Sequence, residues 1–226
     1  MKRQTFLAGS VAAAGLAIPS GVRSAAPAPA GSAVNGDVLL GRLMAGNKRF
    51  VENDFPTTTR FAEKRALLAE TQAPFAAILG CCDSRVIPEL VFVQGIGELF
   101  VARIAGNFPD DAVIGSLEYA VEHLGTRLVM VLGHEGCGAV KAVYAAIESN
   151  APLPSHLSAL QTLIAPGIRS VVEKRGGVSA AIEANVRAAV ARLRAAPPVF
   201  ASGVASGTVR LAGGIYELAS GSVKLI

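Results

Sequence analysis

Two short segments of the sequence contain side chains that together could bind a metal ion. One contains Cys81 and Asp83, and the other, further along the chain, contains His134 and Cys137. Thiolate and imidazole donors select zinc, which is usually held by four ligands in a tetrahedron. The sequence therefore predicts a zinc site in which Cys81, His134 and Cys137 supply three ligands. Water or Asp83 would occupy the fourth position.

An arginine beside Asp83 bears on how such a site would work. Two thiolates cancel the charge of a divalent zinc ion, so the ion is a weaker electrophile than one bound by three neutral imidazoles. A nearby group would therefore have to orient or deprotonate the bound water. Asp83 is suited to this role, and a bidentate pair with Arg85 would keep its carboxylate ionised and in place.

Each of the two segments directly follows an apolar run that is typical of a buried β-strand. Residues 75–79 precede Cys81, and residues 128–132 precede His134. Strand and helix patterns alternate along this part of the chain, which predicts crossover connections and an α/β fold with a mostly parallel central sheet and flanking helices. The carboxyl ends of parallel strands meet at one edge of a sheet, so the two segments should lie together there.

Apolar periodicity and turn residues divide the chain into further elements. Leu39 to Phe50 has helical spacing and predicts an amphipathic N-terminal helical arm. Asp110 and Asp111 are candidate N-caps for a helix that ends near Gly125. Other predicted helices are 60–69, 138–149, 155–163 and 180–195, and other predicted strands are 98–101, 208–212, 215–218 and 222–225.

Length and composition indicate one globular domain. The chain has 226 residues, of which 51% are hydrophobic, enough for a sizeable core. The net charge is +4, but basic residues are scattered and aromatics are only 5%, so a nucleic-acid-binding role has little support. Three cysteines, two of them adjacent, exclude a disulfide framework in practice. Cys82 is the one left over, and we expect it to be a small buried hydrophobic residue.

Residues 1–30 predict an export signal rather than part of the fold. A short basic start is followed by an apolar run, Phe6 to Ile18, and then by an Ala/Pro-rich segment. This start resembles the twin-arginine signal, although Gln4 stands where the second arginine is usual. Residues 31–36 would be a linker and residues 37–226 the domain, in a protein that is periplasmic or otherwise exported after cleavage. A disordered tail on a cytosolic protein is the alternative.

The two ligand segments and the sequence between them resemble a known enzyme family. The resembling stretches are Cys-x-Asp-Ser-Arg at 81–85, His-x-x-Cys at 134–137, and the intervening segments 97–101 and 103–107. Together they resemble the β-class carbonic anhydrases over the whole predicted domain. The resemblance implies that family's fold, zinc on the three ligands predicted above, and reversible hydration of carbon dioxide to bicarbonate and a proton by attack of zinc-bound hydroxide.

The resemblance also implies roles for residues outside the ligand set. Asp83 and Arg85 would form a catalytic dyad, and we expect an open zinc site in which Asp83 is bonded to Arg85. Apart from the resemblance, we expect Arg103 and Asn107 to form structural hydrogen bonds around the cleft rather than to contact substrate. The implied substrate-binding residues are Gln72, an amide that bonds substrate, Phe100 and Tyr119, which line a small apolar pocket, and Ala105, which stands where valine is common.

The family resemblance further implies a homodimer or a dimer of dimers, with the active site at the subunit interface. No nucleic acid and no stable membrane anchor are expected. Two other functions remain open on the sequence. The same scaffold could hydrolyse carbon disulfide or carbonyl sulfide, or the chain could be a non-catalytic zinc-binding or thiol redox protein. Redox chemistry is disfavoured because Cys-x-x-Cys is absent, and a structural zinc site would normally have a fourth strong ligand.

Overall fold

The computed structural model describes residues 35–56 and 61–226. The predicted export signal and most of the predicted linker lie outside the described residues. In the described part, five strands form one sheet, which is flanked by helices. The strands are β1 (Ala76–Gly80), β2 (Leu99–Arg103), β3 (Leu128–His134), β4 (Arg210–Tyr216) and β5 (Val223–Leu225). The helices are α1 (Gly36–Val51), α2 (Phe61–Leu67), α3 (Pro88–Val91), α4 (Asp111–Glu122), α5 (Gly138–Glu148), α6 (Leu157–Glu173), α7 (Gly177–Ala195) and α8 (Val199–Ala205).

The sheet confirms the predicted α/β fold with a mostly parallel sheet. Strands β1 to β4 pair in parallel, and only β5 is antiparallel to its neighbour. The order of the sheet is β2-β1-β3-β4-β5, so β1 and β3 lie side by side in its interior. Every residue of β1 and β3 is buried, as expected for parallel strands that are covered on both faces. Gly80 lies opposite Leu132 in the register, so the carboxyl ends of the two strands are neighbours.

The larger of two hydrophobic cores, which we call the larger core, lies between one face of the sheet and helices α4 to α8. Val129 and Val131 of β3 belong to it, as do the two predicted thiolate ligands. Helices α5, α6 and α7 pack on one another along this face. A Cβ on Gly167 of α6 would lie 2.7 Å from the Cβ of Ala188 in α7, so only a glycine allows these two helices to approach this closely.

The smaller core lies between the other face of the sheet and helices α1 and α3. Met130 and Leu132 of β3 belong to it, together with Leu43 of α1. Helix α1 corresponds to the predicted amphipathic arm. It begins after Asn35, whose side chain accepts a hydrogen bond from the Asp37 N–H and thereby satisfies one of the free amides at the helix start.

A buried asparagine joins the parts of the smaller core. Asn47 of α1 donates from Nδ2 to the carbonyls of Val91, at 3.1 Å, and of Gly221, at 2.8 Å. Its Oδ1 accepts from the Val223 N–H at 2.8 Å. The side chain therefore ties α1 to α3 and to the hairpin between β4 and β5, with both of its polar atoms hydrogen-bonded, as is usual for a buried amide.

The prediction that Gly213 and Gly214 separate two strands was wrong. Strand β4 runs unbroken through both glycines. A Cβ on Gly214 would lie 2.6 Å from Cε of Met130, so the glycine permits close packing within the sheet rather than a turn.

The prediction of a short helix at 155–163 was also wrong in length. Helix α6 continues to Glu173 and contains Pro166, while Ile164 and Ile168 are fully buried in the larger core. The free energy gained by burying these two side chains outweighs the cost of the helical hydrogen bond that Pro166 removes. Helices α3 and α8 had no predicted counterpart. None of the helices described is long and apolar enough to cross a membrane.

Candidate metal centre

The three predicted ligands come together at the carboxyl ends of β1 and β3. Cys81 directly follows β1, His134 is the last residue of β3, and Cys137 directly precedes α5. Their ligand atoms all lie within 4.8 Å of one another, and the two sulfur atoms are 3.9 Å apart. All three residues are buried, with exposed fractions of 6%, 0% and 1%. The structure therefore contains a site that could hold one metal ion.

A tight turn aims the second and third ligands at the same point. Gly136, between His134 and Cys137, has a φ of +63°, a left-handed conformation that glycine adopts without steric cost. The chain then enters α5, with Cys137 at the N-cap position. The sequence spacing of these two ligands thus matches one turn between a strand and a helix.

The imidazole of His134 is oriented as a metal ligand would be. Its Nδ1 lies 2.8 Å from the carbonyl oxygen of Glu135, so Nδ1–H donates to that carbonyl and Nε2 is left with its lone pair. Nε2 is buried and has no hydrogen-bond partner among the described residues. A buried nitrogen without a partner is costly, and support of the other nitrogen by a carbonyl is typical of metal-bound histidines.

The two thiols of the site have opposite pKa shifts because they share a proton. The pKa of Cys81 is lowered because the Cys137 thiol hydrogen-bonds to its sulfur and the Gly106 N–H also donates to it, at 3.4 Å. These contacts outweigh burial, which acts in the opposite direction. The pKa of Cys137 is raised by the same shared proton and by burial. The contacts therefore favour the thiolate at Cys81 and the thiol at Cys137, and metal binding would release the remaining proton.

The predicted acid, Asp83, lies beside the cluster in a bidentate pair with Arg85. Its Oδ1 accepts from Arg85 Nε at 2.9 Å, and its Oδ2 accepts from Arg85 Nη2 at 2.8 Å. The Arg85 side chain holds the pKa of Asp83 well below its usual range, against the opposing effect of partial burial. Oδ2 also lies 3.8 Å from Nε2 of His134. The carboxylate is thus ionised, fixed in orientation and close to the ligand atoms.

Arg103, which was predicted to form structural hydrogen bonds, holds the backbone of the segment that contains Cys81 and Asp83. Arg103 of β2 donates from Nε to the carbonyl of Cys81 at 2.8 Å and from Nη2 to the carbonyl of Asp83 at 2.6 Å. The next position departs from expectation, because Cys82 is exposed rather than buried. Its neighbour Cys81 points into the larger core, and alternate side chains of an extended segment point in opposite directions.

The four predicted substrate-binding residues lie in different surroundings. Phe100 of β2 and Tyr119 of α4 are in ring contact, with centroids 6.5 Å apart, and Tyr119 is exposed. Ala105 is partly buried in the turn after β2. Gln72 is exposed in the loop before β1, and its side chain makes no hydrogen bond to the described part of the chain. The substrate roles of these residues stay predictions.

Sequence reasoning missed two residues that contact or support the cluster. Gly106 donates its N–H to the Cys81 sulfur, and Asn185 of α7 donates from Nδ2 to the carbonyl of Gly106 at 2.7 Å. No motif indicates Asn185. The available signal was a polar residue within the apolar stripe of a predicted helix, between Ile182 and Val186.

Comparisons with known proteins give a consistent result. A family model described as carbonic anhydrase matches residues 76–223. A carbonic anhydrase from Mycolicibacterium smegmatis is 39% identical over 186 residues, which cover 81% of this chain and 89% of the relative. Carbonic anhydrase 2 from Mycobacterium tuberculosis is 38% identical over the same shares of the two chains.

Solved structures with a similar fold agree with the sequence comparisons. A Coccomyxa β-carbonic anhydrase in complex with acetazolamide matches with a TM-score of 0.67 and 27% identity, over 83% of this chain and 86% of that one. The β-carbonic anhydrase CcaA matches with a TM-score of 0.65 and 26% identity, over 83% of this chain and 94% of that one.

Proposed function

The chain belongs to the β-carbonic anhydrase family of enzymes, and from that premise we propose that it hydrates carbon dioxide reversibly at a zinc ion held by Cys81, His134 and Cys137. The observation that supports this proposal most directly is the convergence of the three ligand atoms within 4.8 Å. Nε2 of His134, which has no hydrogen-bond partner among the described residues, and the neighbouring sulfurs of Cys81 and Cys137 are donors that zinc prefers. Zinc there would supply Lewis acidity, which makes water a nucleophile at neutral pH.

The Asp83–Arg85 pair is proposed to orient the attacking water. Asp83 is ionised and accepts only from Arg85 among the described residues, so it can still accept a hydrogen bond from a water at the cluster. Because its carboxylate is already held by Arg85 and lies 3.8 Å from His134 Nε2, it supports the expected open form of the site. The proton released in hydration then has to reach solvent or buffer.

The substrate itself is small and apolar, and it needs a dry surface rather than many polar contacts. The ring pair of Phe100 and Tyr119 is proposed to supply that surface, together with Ala105, which lies between the two in sequence. Gln72 is proposed as the polar group that contacts substrate. Its exposed position in the single chain is compatible with a role at a subunit interface.

We propose a homodimer or a dimer of dimers as the working assembly. The exposed apolar residues of the described chain include Ile87, Leu90, Ile96 and Tyr119, which an interface would cover. A fold neighbour from Sordaria macrospora is described as tetrameric, although its 22% identity supports only the fold. Light scattering on the purified protein tests the assembly, and a strictly monomeric active enzyme would contradict it.

Export of the mature domain, residues 37–226, is also proposed. It is supported by the basic start, the apolar run and the Ala/Pro-rich segment within residues 1–30. Cell fractionation with and without residues 1–30 tests the proposal. Full-length protein that stays in the cytoplasm uncleaved would contradict it.

The enzyme assignment is tested by stopped-flow hydration of carbon dioxide, with zinc content measured on the same samples. Adjacent cysteines provide a matched pair of variants. Cys81→Ser should lose zinc and fall to the rate of buffer, whereas Cys82→Ser should keep both, because Cys82 is exposed and outside the cluster. Asp83→Asn should keep zinc but lose about 10- to 100-fold in rate.

Two results would contradict the proposed function. The first is wild-type protein with one zinc per chain that is no faster than buffer at pH 8 or above. The second is hydrolysis of carbon disulfide or carbonyl sulfide without measurable hydration of carbon dioxide, which would assign the alternative substrate.

A further inference from the structure

The turn after β2 brings a backbone N–H to one of the metal-ligand sulfurs. Gly106 donates to Cys81 Sγ at 3.4 Å, and both residues are buried. A hydrogen bond to a thiolate withdraws negative charge from the sulfur and weakens its donation to a metal. This matters at a site with two thiolates, since together they cancel the charge of a divalent ion. The Gly106 N–H is therefore placed to keep the metal electrophilic.

The position of that N–H depends on a turn with little freedom of its own. Gly106 has a φ of +79° and Asn107 a φ of +44°, so two successive residues are left-handed. A Cβ on Gly106 would lie 2.5 Å from Cδ1 of Ile164 in α6. The turn thus packs closely against α6 in a backbone conformation that is costly for Asn107, so a further contact is needed to hold it.

Asn185 is the side chain that holds it. Its Nδ2 donates to the Gly106 carbonyl at 2.7 Å, across 79 positions of sequence. Asn185 is 1% exposed, and its Oδ1 has no partner among the described residues. Its neighbours Ile182, Val186 and Ala189 on α7 are buried in the larger core. An apolar side chain would suit that environment better, so the amide is not explained by packing.

We propose that Asn185 is a positioning residue of the metal centre, which acts through Gly106 to hold a hydrogen bond on the Cys81 sulfur. Its hydrogen bond goes to the Gly106 carbonyl and not to a proposed metal ligand. Its effect passes through Gly106, whose carbonyl accepts from Asn185 and whose N–H donates to the Cys81 sulfur. The inference rests on the metal site proposed above.

Cobalt substitution tests the inference with a readout other than activity. Sulfur-to-cobalt charge-transfer absorption reports how strongly the thiolates donate to the metal. In Asn185→Leu, and in Asn185→Ala, which introduces a smaller side chain, the bands should move to longer wavelength. Cys81 loses its hydrogen bond in both variants, so its sulfur donates more strongly and the charge-transfer energy falls. Chelator competition should nevertheless show about 10-fold weaker zinc binding, because the turn no longer holds the Cys81 sulfur in position and this loss outweighs the stronger donation.

Asn47→Leu is the matched control, because Asn47 is equally polar, 4% exposed and bonded to backbone groups in the smaller core, away from the cluster. It should lower the melting temperature and leave the cobalt bands and zinc affinity unchanged. If the Asn185 variants melt lower but show wild-type bands and affinity, Asn185 is only structural and the inference is overturned. If wild-type protein gives no thiolate bands with cobalt, the metal site and the inference both fail.

Discussion

The two cores of this molecule treat buried polar groups differently. In the smaller core, Nδ2 and Oδ1 of Asn47 are both hydrogen-bonded. In the larger core, Asn185 leaves its Oδ1 without a partner. The other buried unsatisfied side-chain atoms of the described residues belong to Asn107, in the turn beneath Cys81, and to His134, a proposed ligand.

This difference indicates what each core is for. An unsatisfied buried polar group costs about 1–3 kcal/mol, so such groups persist where they serve something other than stability. Around the cluster these groups belong to the proposed ligand His134, to the turn that contacts Cys81 and to Asn185, which is bonded to that turn. Asn47 instead joins α1 to α3 and to β5. Substitutions of polar groups in the larger core should therefore weaken metal binding by more than their effect on the free energy of unfolding accounts for. Substitutions in the smaller core should change the free energy of unfolding alone.

Metal removal should give the largest effect and should be confined to one side of the sheet. A ligand present at 1,000 times its dissociation constant stabilises the folded state by about 4 kcal/mol. Chelation should therefore lower the melting temperature and speed amide exchange at 104–107 and 134–138. Exchange at 221–223, beside Asn47, should change little. Uniform exchange over both regions would break the comparison.

Asn47→Leu should be the most destabilising of the substitutions that leave the metal ligands intact. It leaves the carbonyls of Val91 and Gly221 and the N–H of Val223 without their partner. At about 1–3 kcal/mol for each unsatisfied group, the free energy of unfolding should fall by about 3 kcal/mol or more. Urea unfolding measures it. A loss below about 1 kcal/mol would mean that water replaces these bonds easily.

Gly106→Ala should destabilise the protein and weaken metal binding together. A left-handed alanine costs about 1–2 kcal/mol, and the contact with Ile164 adds about 1–3 kcal/mol. Gly207→Ala is the matched control, since its φ is +74° but no atom lies within 4 Å of its Cβ position. Gly207→Ala should lower the free energy of unfolding by only about 1–2 kcal/mol and leave zinc affinity unchanged. Equal losses in the two variants would show that the turn at Gly106 is not crowded.

Glu98→Gln should give the smallest effect, and a pH-dependent one. Burial raises the pKa of Glu98, but hydrogen bonds from Lys64, at 2.6 Å, and Arg42, at 2.5 Å, leave that pKa lowered. The carboxylate therefore stabilises the fold above its ordinary pKa of 4.5, and this stabilisation is lost as the pH falls through the folded value. These groups are partly exposed, so the difference at pH 7 should be less than about 1 kcal/mol.

Urea unfolding of wild type and Glu98→Gln over a pH series measures this difference. The two proteins should converge as the pH falls below 4.5. A variant that is less stable by the same amount at every pH would show that the carboxylate's charge is not what Arg42 and Lys64 recognise. Zinc affinity should be the same in both, since these residues lie outside the cluster.

The sequence was sufficient to predict the features that depend on local residue types. Apolar runs before Cys81 and His134 predicted parallel strands, and parallel strands bring their carboxyl ends together whatever the rest of the chain does. Asp110 was correctly one of the two candidate caps of α4, where its side chain accepts from the Val113 N–H. These features are set by spacing and chemistry over a few residues.

Features that depend on partners far along the chain were not predictable in this way. Pro166 normally ends a helix, yet α6 continues because α5 and α7 cover its apolar side. Gly213 and Gly214 predicted a break between two strands, because the sequence does not show that Met130 occupies the space of a side chain at Gly214. Asn185 looked like an ordinary helical residue because its partner, Gly106, is 79 positions away.

The short separation of Cys81 and Cys137 has a consequence for how the protein matures. Their sulfurs lie 3.9 Å apart, and a disulfide needs about 2.05 Å, so a small displacement in a metal-free chain would let an oxidant join them. That bond would consume two of the three proposed ligands. If the chain enters an oxidising compartment, metal bound beforehand would block this reaction, and we expect the order of the two events to decide how much of the protein keeps its ligands.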